Sequence, residues 1–485
     1  MTGVLMIVSL QALLGGFDNL WHHELQARLP QRTGARHELL LHALREAVYA
    51  LIFIGLAWWQ WQGWCALLLA ALLLVECVLT GLDFLEEDRS RKLPPLERLL
   101  HTALVVIYGG FLGLFAPIWW NWLQQPSGWQ FVSHGAWSWA LTVFAVGVLA
   151  WSVRNFMAVR QLGYRAAIRA AEPMPSVASG PAVLVTGGTG FIGAALVGQL
   201  LREGRRVIVW TRDPLQARAL LGPLPQLVQR LEDLGDETRI AAVVSLAGAP
   251  VLGLPWTRRR RQLLIHSRTD TTAAVVALMR RLQQRPQVLV SASAVGFYGL
   301  PAGDAPLDES APAEPGRFQS ELCAAVELEA RRAEALGLRV VRLRFGIVLG
   351  AHGGAYPAQA LAARCGAGAV LGSGRQPLPW IHHDDALGLV RFALATPALN
   401  GAVNAVAPQL PCQADFARAL AASFGRRMWL RVPGAPLRRA LGEMSELLLQ
   451  GQAVLPMAAL AAGYRFRHAT LQAALQDLAQ ASRAG

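Results

Sequence analysis

The pattern of hydrophobic positions divides the chain into two halves of different character. Before residue 155, apolar runs long enough for membrane helices recur at about 2–17, 47–61, 63–82, 99–121 and 135–153. As an α-helix, the run at 63–82 is about 30 Å long, which matches the hydrocarbon thickness of a bilayer. We therefore predict an N-terminal α-helical transmembrane bundle of about five helices over residues 1–165.

After residue 181 the apolar runs are shorter and alternate with stretches of helical periodicity. The predicted strands lie at 182–186, 206–210, 241–247, 287–293, 338–344 and near 403–406. Strands that alternate with helices in this way are typical of a Rossmann-type, doubly wound parallel sheet of the α/β class. Residues 166–181, which are rich in alanine and proline, form the predicted linker between the two halves.

The first predicted strand is followed directly by three spaced glycines and a helical pattern. Gly187 allows a sharp turn off the strand, Gly190 lets backbone N–H groups approach a pyrophosphate, and Gly193 lets the helix pack against the strand. The positive N-terminus of that helix then points at the phosphates. Spaced glycines between a strand and a helix predict a dinucleotide-binding site.

The end of the second strand bears on the choice of nucleotide. An NAD site usually has an acidic residue here, which binds the ribose 2′-hydroxyl. In this chain Thr211 and Arg212 occupy the position, and a guanidinium can bind a 2′-phosphate with two hydrogen bonds. We therefore predict NADP(H) as the cofactor. The alternative is that Asp213 is the ribose-binding acid, displaced by one or two residues along the chain.

The ends of the next two strands supply the remaining predicted site residues. Ala247 and Gly248 end the strand at 241–247 and are small enough for the cofactor to lie close to the sheet. Ser293 lies at the carboxyl end of the strand at 287–293, which faces the crevice where α/β sheets bind ligands. The predicted site therefore extends from the glycine loop to Ser293.

Several ordered motifs in the C-terminal half resemble those of one known family. They read VTGGTGFIG, SLAGAPV, PWTRRRRQLLIHSRTDTT, SASAVGFYG, RFGIVLGAHGG, GSGRQPLPWIHHDDA and GAVNAVAP. Over about 182–478 the chain resembles the atypical or extended short-chain dehydrogenase/reductase family, and within it the NADP-binding "epimerase family" branch. The resemblance implies an NADP-binding Rossmann domain over 182–425 and a small C-terminal lobe on the substrate side over 426–485.

The same resemblance implies roles for single residues. The loop that binds NADP(H) is formed by Gly187, Thr189, Gly190, Phe191, Ile192 and Gly193. Arg212 takes the 2′-phosphate role, and Ser293 occupies the position of the usual catalytic serine.

The chain departs from the family at the Tyr-x-x-x-Lys pair, in which lysine lowers the pKa of the tyrosine that moves the proton. The corresponding helix reads Phe318-Gln-Ser-Glu-Leu-Cys, and Lys92 is the single lysine of the chain. Tyr298 is the nearby phenol, and we predict that it acts as an acid with Ser293 or packs in the core.

Composition and charge agree with a membrane-bound protein. The chain is 53% hydrophobic, and its formal net charge of +13 comes almost wholly from arginine. Arginines concentrate in the segments 18–46 and 83–98 and after residue 153, whereas the loop 122–134 has none. By the positive-inside rule the C-terminal half then lies on the cytoplasmic side of the inner membrane. We expect a small-molecule substrate and the lipid bilayer as partners, and no nucleic acid.

Histidines and carboxylates recur at helical spacing near the predicted cytoplasmic edge of the bundle. The i,i+4 pairs are Asp18 with His22, Glu38 with His42, His42 with Glu46, and Glu97 with His101. Glu76 lies two turns deeper than Asp83 on one helix, and an ionisable group at that depth points to function. Two interpretations stay open, and we assign no metal ligands. They are a metal or haem site that draws on His22, His42, Glu46, Glu76 and His101, or a solvated loop with Glu76 paired to an arginine.

Four further motifs are candidates for binding. The run Arg258–Arg261 is a solvated helix face or a contact with anionic lipid headgroups. His266 and Arg268 are predicted within reach of the cofactor phosphate or the substrate. The cluster His382–Asp385 is a structural or substrate-facing turn, or a metal site, and the loop Gly372–Gln376 is a site for an anionic substrate group.

Three functions are compatible with these observations. The leading one is a membrane-anchored NADP(H)-dependent oxidoreductase or epimerase-like enzyme, with the proton supplied by Ser293 with Tyr298, by a histidine or by water. The second is a non-catalytic NADP(H) sensor that regulates its own membrane domain, which the missing Tyr-x-x-x-Lys pair favours. The third is a redox protein in which NADPH feeds a metal or haem in the bundle.

Overall fold

The chain folds into two compact units, Met1–Ala170 and Ala171–Gly485. The structure, a computed structural model, describes residues 1–26, 29, 35–90, 94–170, 180–253, 256–300 and 305–484. The boundary lies inside the predicted linker at 166–181. Residues 166–170 continue the last helix of the first unit, and residues 171–179 lie outside the described part of the chain.

The N-terminal unit is a helical bundle. Its elements are α1 (Thr2–Asp18), a π-helix (Asn19–Gln26), α2 (Arg36–Trp58), β1 (Trp59–Gln62), α3 (Trp64–Ser90), α4 (Pro95–Leu123), β2 (Gly128–Phe131) and α5 (Ala136–Ala170). Among the described residues, five helices are long and apolar enough to cross a membrane, which is the number that the hydrophobic pattern predicts. The short strands β1 and β2 pair antiparallel. They connect the turn near residue 62 with the loop 122–134, and neither segment contains arginine.

The bundle exposes large apolar side chains and buries polar ones. Leu74, Val106 and Val143 are each more than 60% exposed, while Leu56, Phe115 and Leu141 pack in the interior. Hydrogen bonds between helices satisfy interior polar groups: the Ser152 hydroxyl donates to the Ala43 carbonyl at 2.6 Å. An apolar outside and internally paired polar groups are what a hydrocarbon solvent requires of a helical bundle.

The C-terminal unit is built on a seven-stranded parallel sheet. Its strands are β3 (Ala182–Thr186), β4 (Val207–Trp210), β5 (Gln226–Val228), β6 (Ile240–Ser245), β7 (Val288–Ala294), β8 (Arg339–Phe345) and β13 (Gly401–Ala405). They lie in the order β13-β8-β7-β6-β3-β4-β5, so the chain runs outward from β3 in one direction and then returns to build the other side. The predicted doubly wound sheet is therefore confirmed, and its switch point lies between β3 and β6.

Helices cover both faces of the sheet. They are α6 (Phe191–Arg202), α7 (Pro214–Leu221), α8 (Arg258–Arg281), α9 (Phe318–Arg331) and α11 (His383–Ala395). Two other helices, α10 (Tyr356–Arg364) and α12 (Gln413–Ser423), pack in a separate apolar cluster with Trp380 and Leu475. On one face, Leu196 and Val390 from α6 and α11 pack with the sheet. On the other face, Met279 of α8 and Ala330 of α9 do so. Both faces are apolar, so the strands read as continuous hydrophobic runs.

Short strands and helices at the carboxyl end of the sheet form the remaining layer. They are β9 (Ile347–Gly350), β10 (Gly353–Gly354), β11 (Ala369–Leu371), β12 (Trp380–His382), β14 (Leu430–Val432), α13 (Gly434–Leu441), α14 (Glu446–Leu449), α15 (Met457–Ala461) and α16 (Leu471–Ala484). The predicted lobe at 426–485 does not stand alone. Strand β14 pairs with β11, and Leu475 of α16 packs on Phe416 of α12.

Candidate active site

The glycine loop between β3 and α6 takes a shape that only glycine permits. Gly187 has a φ of +67°, and a Cβ there would lie 2.7 Å from the Leu246 carbonyl carbon. The Gly190 amide donates a hydrogen bond to the Gly187 carbonyl at 2.9 Å. A Cβ at Gly193 would lie 2.1 Å from the Gly187 oxygen, so a larger residue would separate the helix from the strand. The turn that the sequence predicts is therefore present.

The N-terminus of α6 is suited to an anion. Gly190 is the N-cap residue and is exposed, no side chain caps the helix, and its first turn contains no acidic residue. The first amides of a helix have no intrahelical partner, and the helix dipole adds positive charge at the same place. These features fit the pyrophosphate of a dinucleotide, because phosphate oxygens accept hydrogen bonds from such amides.

Two of the predicted loop side chains pack inside the protein. The Phe191 ring lies over the imidazole of His383, with 4.6 Å between the centroids, and a Cβ at Gly353 would lie 2.2 Å from that ring. Ile192 packs against the core of the sheet. Phe191 and Ile192 therefore anchor the loop through their side chains, which leaves their backbone amides as the groups available to a phosphate. Thr189 is half-buried in the same loop.

The two charged residues that follow β4, Arg212 and Asp213, differ in whether their side chains are already engaged. Arg212 is exposed, and its carbonyl accepts a hydrogen bond from Gln229 at 3.3 Å. Asp213 caps α7, because its carboxylate accepts from the Gln216 amide at 2.9 Å. A carboxylate that caps a helix is already engaged, so the arrangement favours Arg212 over Asp213 as the group that meets the ribose.

The loop after β6 is held close to β3. The Ala247 amide donates to the Thr186 hydroxyl at 3.2 Å, and a Cβ at Gly248 would lie 2.7 Å from the guanidinium carbon of Arg268. Arg268 donates to the carbonyls of Ala249 and Leu264 at 2.9 and 3.1 Å, and burial lowers its pKa. Ala247 and Gly248 thus lie in the loop after β6, which ends at Ser245 and is shorter than predicted, and Arg268 serves to hold that loop.

Ser293 is the first member of a buried hydrogen-bond chain. Its hydroxyl donates to Glu327 Oε1 at 2.8 Å, from the end of β7 to α9. The Glu327 carboxylate also accepts from both sides of the Arg344 guanidinium, at 2.8 Å from Nε and 2.9 Å from Nη2. The side chains of Glu327 and Arg344 are each 4% exposed. The Arg344 guanidinium thus sets a positive charge against the buried carboxylate to which Ser293 donates.

Tyr298 does not lie in the crevice, which corrects the prediction that it acts as an acid beside Ser293. The residue is 1% exposed, and its hydroxyl donates to Asn404 Oδ1 at 2.7 Å while it accepts from Arg344 at 2.8 Å. Burial raises the pKa of Tyr298. Its proton is therefore committed to Asn404, and the phenol fixes Arg344 in place.

The helix that would carry Tyr-x-x-x-Lys in the family presents apolar groups here. Phe318 packs on Trp256, with 5.0 Å between ring centroids, and lies beneath the guanidinium of Arg261. Cys323 is buried next to Ser293, and burial, together with the charge of Glu327, raises the pKa of its thiol to about 11. Neither residue supplies a proton at neutral pH.

An open cleft of about 770 Å³ lies beside the ion pair. Phe297, Glu309, Glu327, Arg331, Arg342 and Arg344 are among the residues that line it. The Arg344 guanidinium stacks on the Phe297 ring at 3.5 Å. Glu327 therefore contacts Ser293 on one side and solvent through this cleft on the other.

Most of the other predicted candidates have structural roles. His266 is 66% exposed on its side chain and contacts Asp270 at 3.3 Å. In the arginine run, Arg260 bonds the Pro250 carbonyl and Arg261 pairs with Glu443, while Arg258 and Arg259 are exposed. The Gln376 side-chain amide donates to the carbonyls of Leu371 and Leu448, so hydrogen bonds inside the protein hold the loop at 372–376.

The cluster after β12 ties the C-terminal segment to the sheet. His382 caps α11, since its Nδ1 accepts from the Asp384 amide at 3.1 Å, and its ring stacks on His468 at 3.8 Å. Asp385 accepts from the amides of Arg467 and His468 at 2.7 and 2.8 Å. Of the interpretations given for this cluster, these contacts favour the structural one.

Three residues of the site were missed from the sequence: Glu327, Arg344 and Asn404. In the sequence, only the neighbouring residues could indicate that such a residue belongs to the site. Arg344 is a charge in the otherwise apolar end of β8, and Asn404 is a polar residue in β13, and buried polar groups of this kind need partners. Glu327 lies on a helix with other glutamates, and nothing in the local pattern marks it as the buried one.

The fold and the crevice define a Rossmann-type dinucleotide-binding protein. Comparison with known proteins agrees. The model of the NAD dependent epimerase/dehydratase family matches residues 183–405, and a domain of unknown function, DUF1731, matches residues 432–478. Neither match extends into the helical bundle.

Two curated relatives and one solved structure cover the same part of the chain. Epimerase family protein YfhF of Bacillus subtilis is 36% identical over 300 residues, which are 61% of this chain and 97% of the relative. Human epimerase family protein SDR39U1 is 36% identical over 299 residues, 61% of this chain and 99% of the relative. A crystal structure of the human protein with NADPH has a TM-score of 0.55 at 33% identity and covers 61% of this chain and 99% of its own. The chain belongs to this epimerase family, a group of atypical short-chain dehydrogenases/reductases.

Proposed function

We propose that the protein is a membrane-anchored, NADP(H)-dependent oxidoreductase or epimerase-like enzyme whose proton relay runs from Ser293 to Glu327. The observation that carries the proposal is the 2.8 Å hydrogen bond from Ser293 to a carboxylate that Arg344 holds from both sides. This pair lies at the carboxyl end of β7, where a substrate in the crevice of a doubly wound sheet would react.

The cofactor is NADP(H), and the chain's own groups support this choice. The amides at the start of α6 would bind the pyrophosphate, and the exposed Arg212 would bind the 2′-phosphate. A relative with a third of its sequence identical is described with NADPH bound. A nicotinamide in this crevice supplies hydride chemistry at its C4 position, and the protein has to place the substrate against it.

The proton then moves on the chain's own residues. When a substrate alcohol is oxidised, Ser293 Oγ accepts the hydroxyl proton while its own proton passes to the Glu327 carboxylate. The neutral acid releases that proton to solvent through the cleft that Glu327 lines. In the direction of reduction the same transfers run backward, so the serine–glutamate pair does the work of the absent Tyr-x-x-x-Lys pair.

The bundle would anchor the enzyme to the cytoplasmic face of the inner membrane. Five apolar helices and the distribution of arginine along the sequence support this location. An anchored enzyme suits a substrate that is itself delivered at the membrane surface.

The test is turnover by the purified full-length protein with NADP⁺ or NADPH and a panel of ketones, alcohols and nucleotide sugars. We expect Ser293→Ala and Glu327→Gln each to lower kcat by about 100-fold or more, the usual effect of losing a general acid or base. Glu321→Gln is the control, because Glu321 is exposed on the same helix. NADPH affinity should be unchanged in all three variants, which shows that the crevice is folded.

Two results would contradict the proposal. One is turnover by Ser293→Ala and Glu327→Gln at the rate of the unmodified protein. The other is NADPH binding without turnover of any substrate class, which would favour a non-catalytic NADP(H) sensor that regulates its membrane domain.

A further inference from the structure

One end of the helical bundle contains a dense group of buried acids and imidazoles. It lies where α1 and α3 end and α2 and α4 begin. None of its members is more than 8% exposed: Asp18, His22, His23, Glu38, His42, Glu46, Asp83, Glu87, Glu97 and His101. Buried carboxylates have to be neutralised by cations, since removing a charge from water costs several kcal/mol. Arg45 supplies one such charge by pairing with Asp83, whereas oxygens of Asp18, Glu87 and Glu97 surround the imidazole of His23.

The π-helix sets the geometry of this group. His23 follows Asp18 by five residues. In an α-helix, two residues with this spacing lie on different faces, but the i→i+5 hydrogen bonds of a π-helix put them on the same face. His22 and His23 thereby both reach Asp18: His22 Nδ1 lies 2.7 Å from Oδ1, and His23 Nε2 lies 3.7 Å from Oδ2. The sequence pattern points to His22 alone, because an i,i+4 spacing was assumed.

Four side chains converge on one point. They are Asp18, His23, Glu97 and His101, whose nearest ligand atoms all lie within 4.8 Å of one another. His23 Nε2 is 3.4 Å from Glu97 Oε1, and His101 Nε2 is 2.9 Å from Asp18 Oδ2. Metal–ligand bonds of about 2.1 Å place neighbouring ligand atoms about 3.0–3.5 Å apart in six- or four-coordinate shells. The His23–Glu97 separation lies in this range, and the 2.9 Å contact between His101 and Asp18 is a hydrogen bond that a bound ion would replace.

The tautomer of His23 can be read from its neighbours. Asn19 donates through its amide nitrogen to Glu46 at 3.0 Å, so its Oδ1 is the atom that faces His23 Nδ1 at 3.1 Å. Nδ1 must then be the donor, which leaves Nε2 with the lone pair in the neutral ring. That nitrogen has no hydrogen-bond partner and its side chain is 7% exposed, yet carboxylate oxygens surround it at 3.4–3.7 Å. A proton on Nε2 would form a hydrogen bond of about 2.8 Å, and all three oxygens lie farther away, at distances that leave room for a metal ion between them.

Further side chains surround the four ligands. Glu87 Oε2 lies 3.3 Å from His101 Nδ1, an electrostatic contact without hydrogen-bond geometry. Asn155 of α5 binds both oxygens of Glu46 at 3.2 and 3.0 Å, and Glu46 in turn holds Asn19. Carboxylate–histidine–metal arrangements of this kind fix the ring and raise its basicity. Glu46 is thus a supporting residue, and Glu76, which accepts from Thr80 at 2.7 Å, lies deeper.

We propose that Asp18, His23, Glu97 and His101 bind a divalent first-row transition-metal ion, such as Fe²⁺, Mn²⁺ or Zn²⁺, at this end of the bundle. Two imidazoles and two carboxylates are a donor set for those ions, and no thiolate takes part. Glu87 and His42 form a neighbouring group with His23 and complete the surroundings of the ion. The separations within this group suit a single ion and are too small for a haem, so a metal ion is the form of the predicted metal or haem site that we propose.

The test is metal analysis of the full-length protein in detergent. The protein is stripped with a chelator, reloaded separately with Mn²⁺, Zn²⁺ or anaerobic Fe²⁺, desalted and measured by mass spectrometry of the metals. We expect about one ion or more per chain to be retained, because a preformed ligand shell binds such ions tightly. The variants His23→Gln and Glu97→Gln should each retain at least about tenfold less. His37→Gln is the control, since His37 is exposed on α2.

A further variant distinguishes the loss of a metal ligand from misfolding of the bundle. Asn19→Leu leaves all four ligands in place and removes the hydrogen bond to His23 Nδ1, so it should weaken metal affinity by about 10- to 100-fold while saturation still reaches the same stoichiometry. The proposal is overturned if the unmodified protein retains none of the three ions. It is also overturned if His23→Gln and Glu97→Gln, monodisperse in detergent, retain as much metal as His37→Gln. NADPH binding by the other unit is independent of either outcome.

Discussion

At the scale of the residue, the surroundings of a side chain decide its chemistry more than its type. Ser293 is partly exposed, and its hydroxyl donates to the Glu327 carboxylate. Tyr298 has the more acidic group but is 1% exposed and bonded on both sides. The two residues are connected only through Glu327 and Arg344, which form the centre of the chain of hydrogen bonds.

Tyr298→Phe should affect stability and leave proton transfer unchanged. Removing the hydroxyl leaves Asn404 Oδ1 and one Arg344 nitrogen without that partner, which costs about 1–3 kcal/mol of unfolding free energy. The melting temperature of the full-length variant should fall, while the pH profile of kcat keeps its shape. A shifted profile with an unchanged melting temperature would return Tyr298 to the role of acid.

Cys323 should resist alkylation up to high pH. Burial raises the pKa of its thiol to about 11, so little thiolate exists at pH 8. Cys365, which is exposed, serves as the internal control. Peptide mapping after treatment with iodoacetamide at pH 8 should show Cys323 unmodified when Cys365 is fully alkylated. Equal labelling of the two would show that the helix α9 opens readily.

The position of Ser293 could be predicted at this scale, and its partner could not. The end of a β-strand is marked by local sequence, and strand ends share one edge of a parallel sheet. Glu327 is brought to Ser293 by the packing of α9 on β7, and the choice among Glu321, Glu327 and Glu329 depends on which face of the helix that packing buries. Such a choice is tertiary and has no local signature.

At the scale of the element, backbone geometry explains the two features on which the proposed cofactor site and the proposed metal site depend. In the glycine loop, α6 begins where a Cβ at Gly193 would collide with the Gly187 carbonyl. In the bundle, the π-helix at Asn19–Gln26 turns His23 toward Asp18. The loop was predictable because its glycines are a specific sequence signal. The π-helix was not, because its side-chain spacing differs from the 3.6-residue period on which sequence interpretation relies.

Gly193→Ala should weaken NADPH binding by about 10- to 100-fold, the effect of 1–3 kcal/mol of strain at the helix N-terminus. Gly198→Ala is a matched control on the same helix, because its Cβ would meet only the end of Arg202 at 3.6 Å. That control should bind NADPH normally and gain up to about 1 kcal/mol in stability, since alanine favours helix. Titration calorimetry distinguishes the two; equal affinities would show that α6 does not contact the cofactor.

At the scale of the whole molecule, the chain combines a family enzyme fold with a bundle that the family matches do not cover. The number of long helices and the sheet topology follow from hydrophobic periodicity, which is set by burial. The three-residue strand β5 was missed, because a run of that length has no clear period. The predicted C-terminal lobe at 426–485 shares strands and core with residues 369–424, and this sharing could not be seen from the sequence.

The orientation of the bundle gives a prediction for the intact protein. We propose that the arginine-rich loops face the cytoplasm, and five spans would then put the C-terminus in the cytoplasm and the N-terminus outside. Green fluorescent protein fused at the C-terminus should fluoresce, and alkaline phosphatase at the same place should be inactive. The phosphatase inserted at residue 125, in the loop without arginine, should be active. The reverse pattern would overturn both the orientation and the cytoplasmic location of the crevice.

Acid stability should depend on His382. Burial lowers its pKa from 6.5 to about 4, so between these values the unfolded chain binds a proton that the folded chain does not. Stability therefore falls as the pH drops from 6.5 toward 4, by about 3 kcal/mol at most. His382→Asn keeps a helix cap and should flatten the dependence of melting temperature on pH. His266→Asn, at an exposed histidine, should not; an unchanged slope in His382→Asn would contradict the assignment.

The most direct test of the account is calorimetric titration of the full-length protein with NADPH and NADH. We expect saturable binding with NADPH preferred by about tenfold or more, and Arg212→Ala should remove that preference, since charged hydrogen bonds to a phosphate contribute about 1.5–3 kcal/mol. Arg206→Ala, at the opposite end of β4, should retain it. The central claim that this crevice binds NADP(H) would be contradicted if neither nucleotide bound, or if the unmodified protein bound NADPH and NADH with equal affinity.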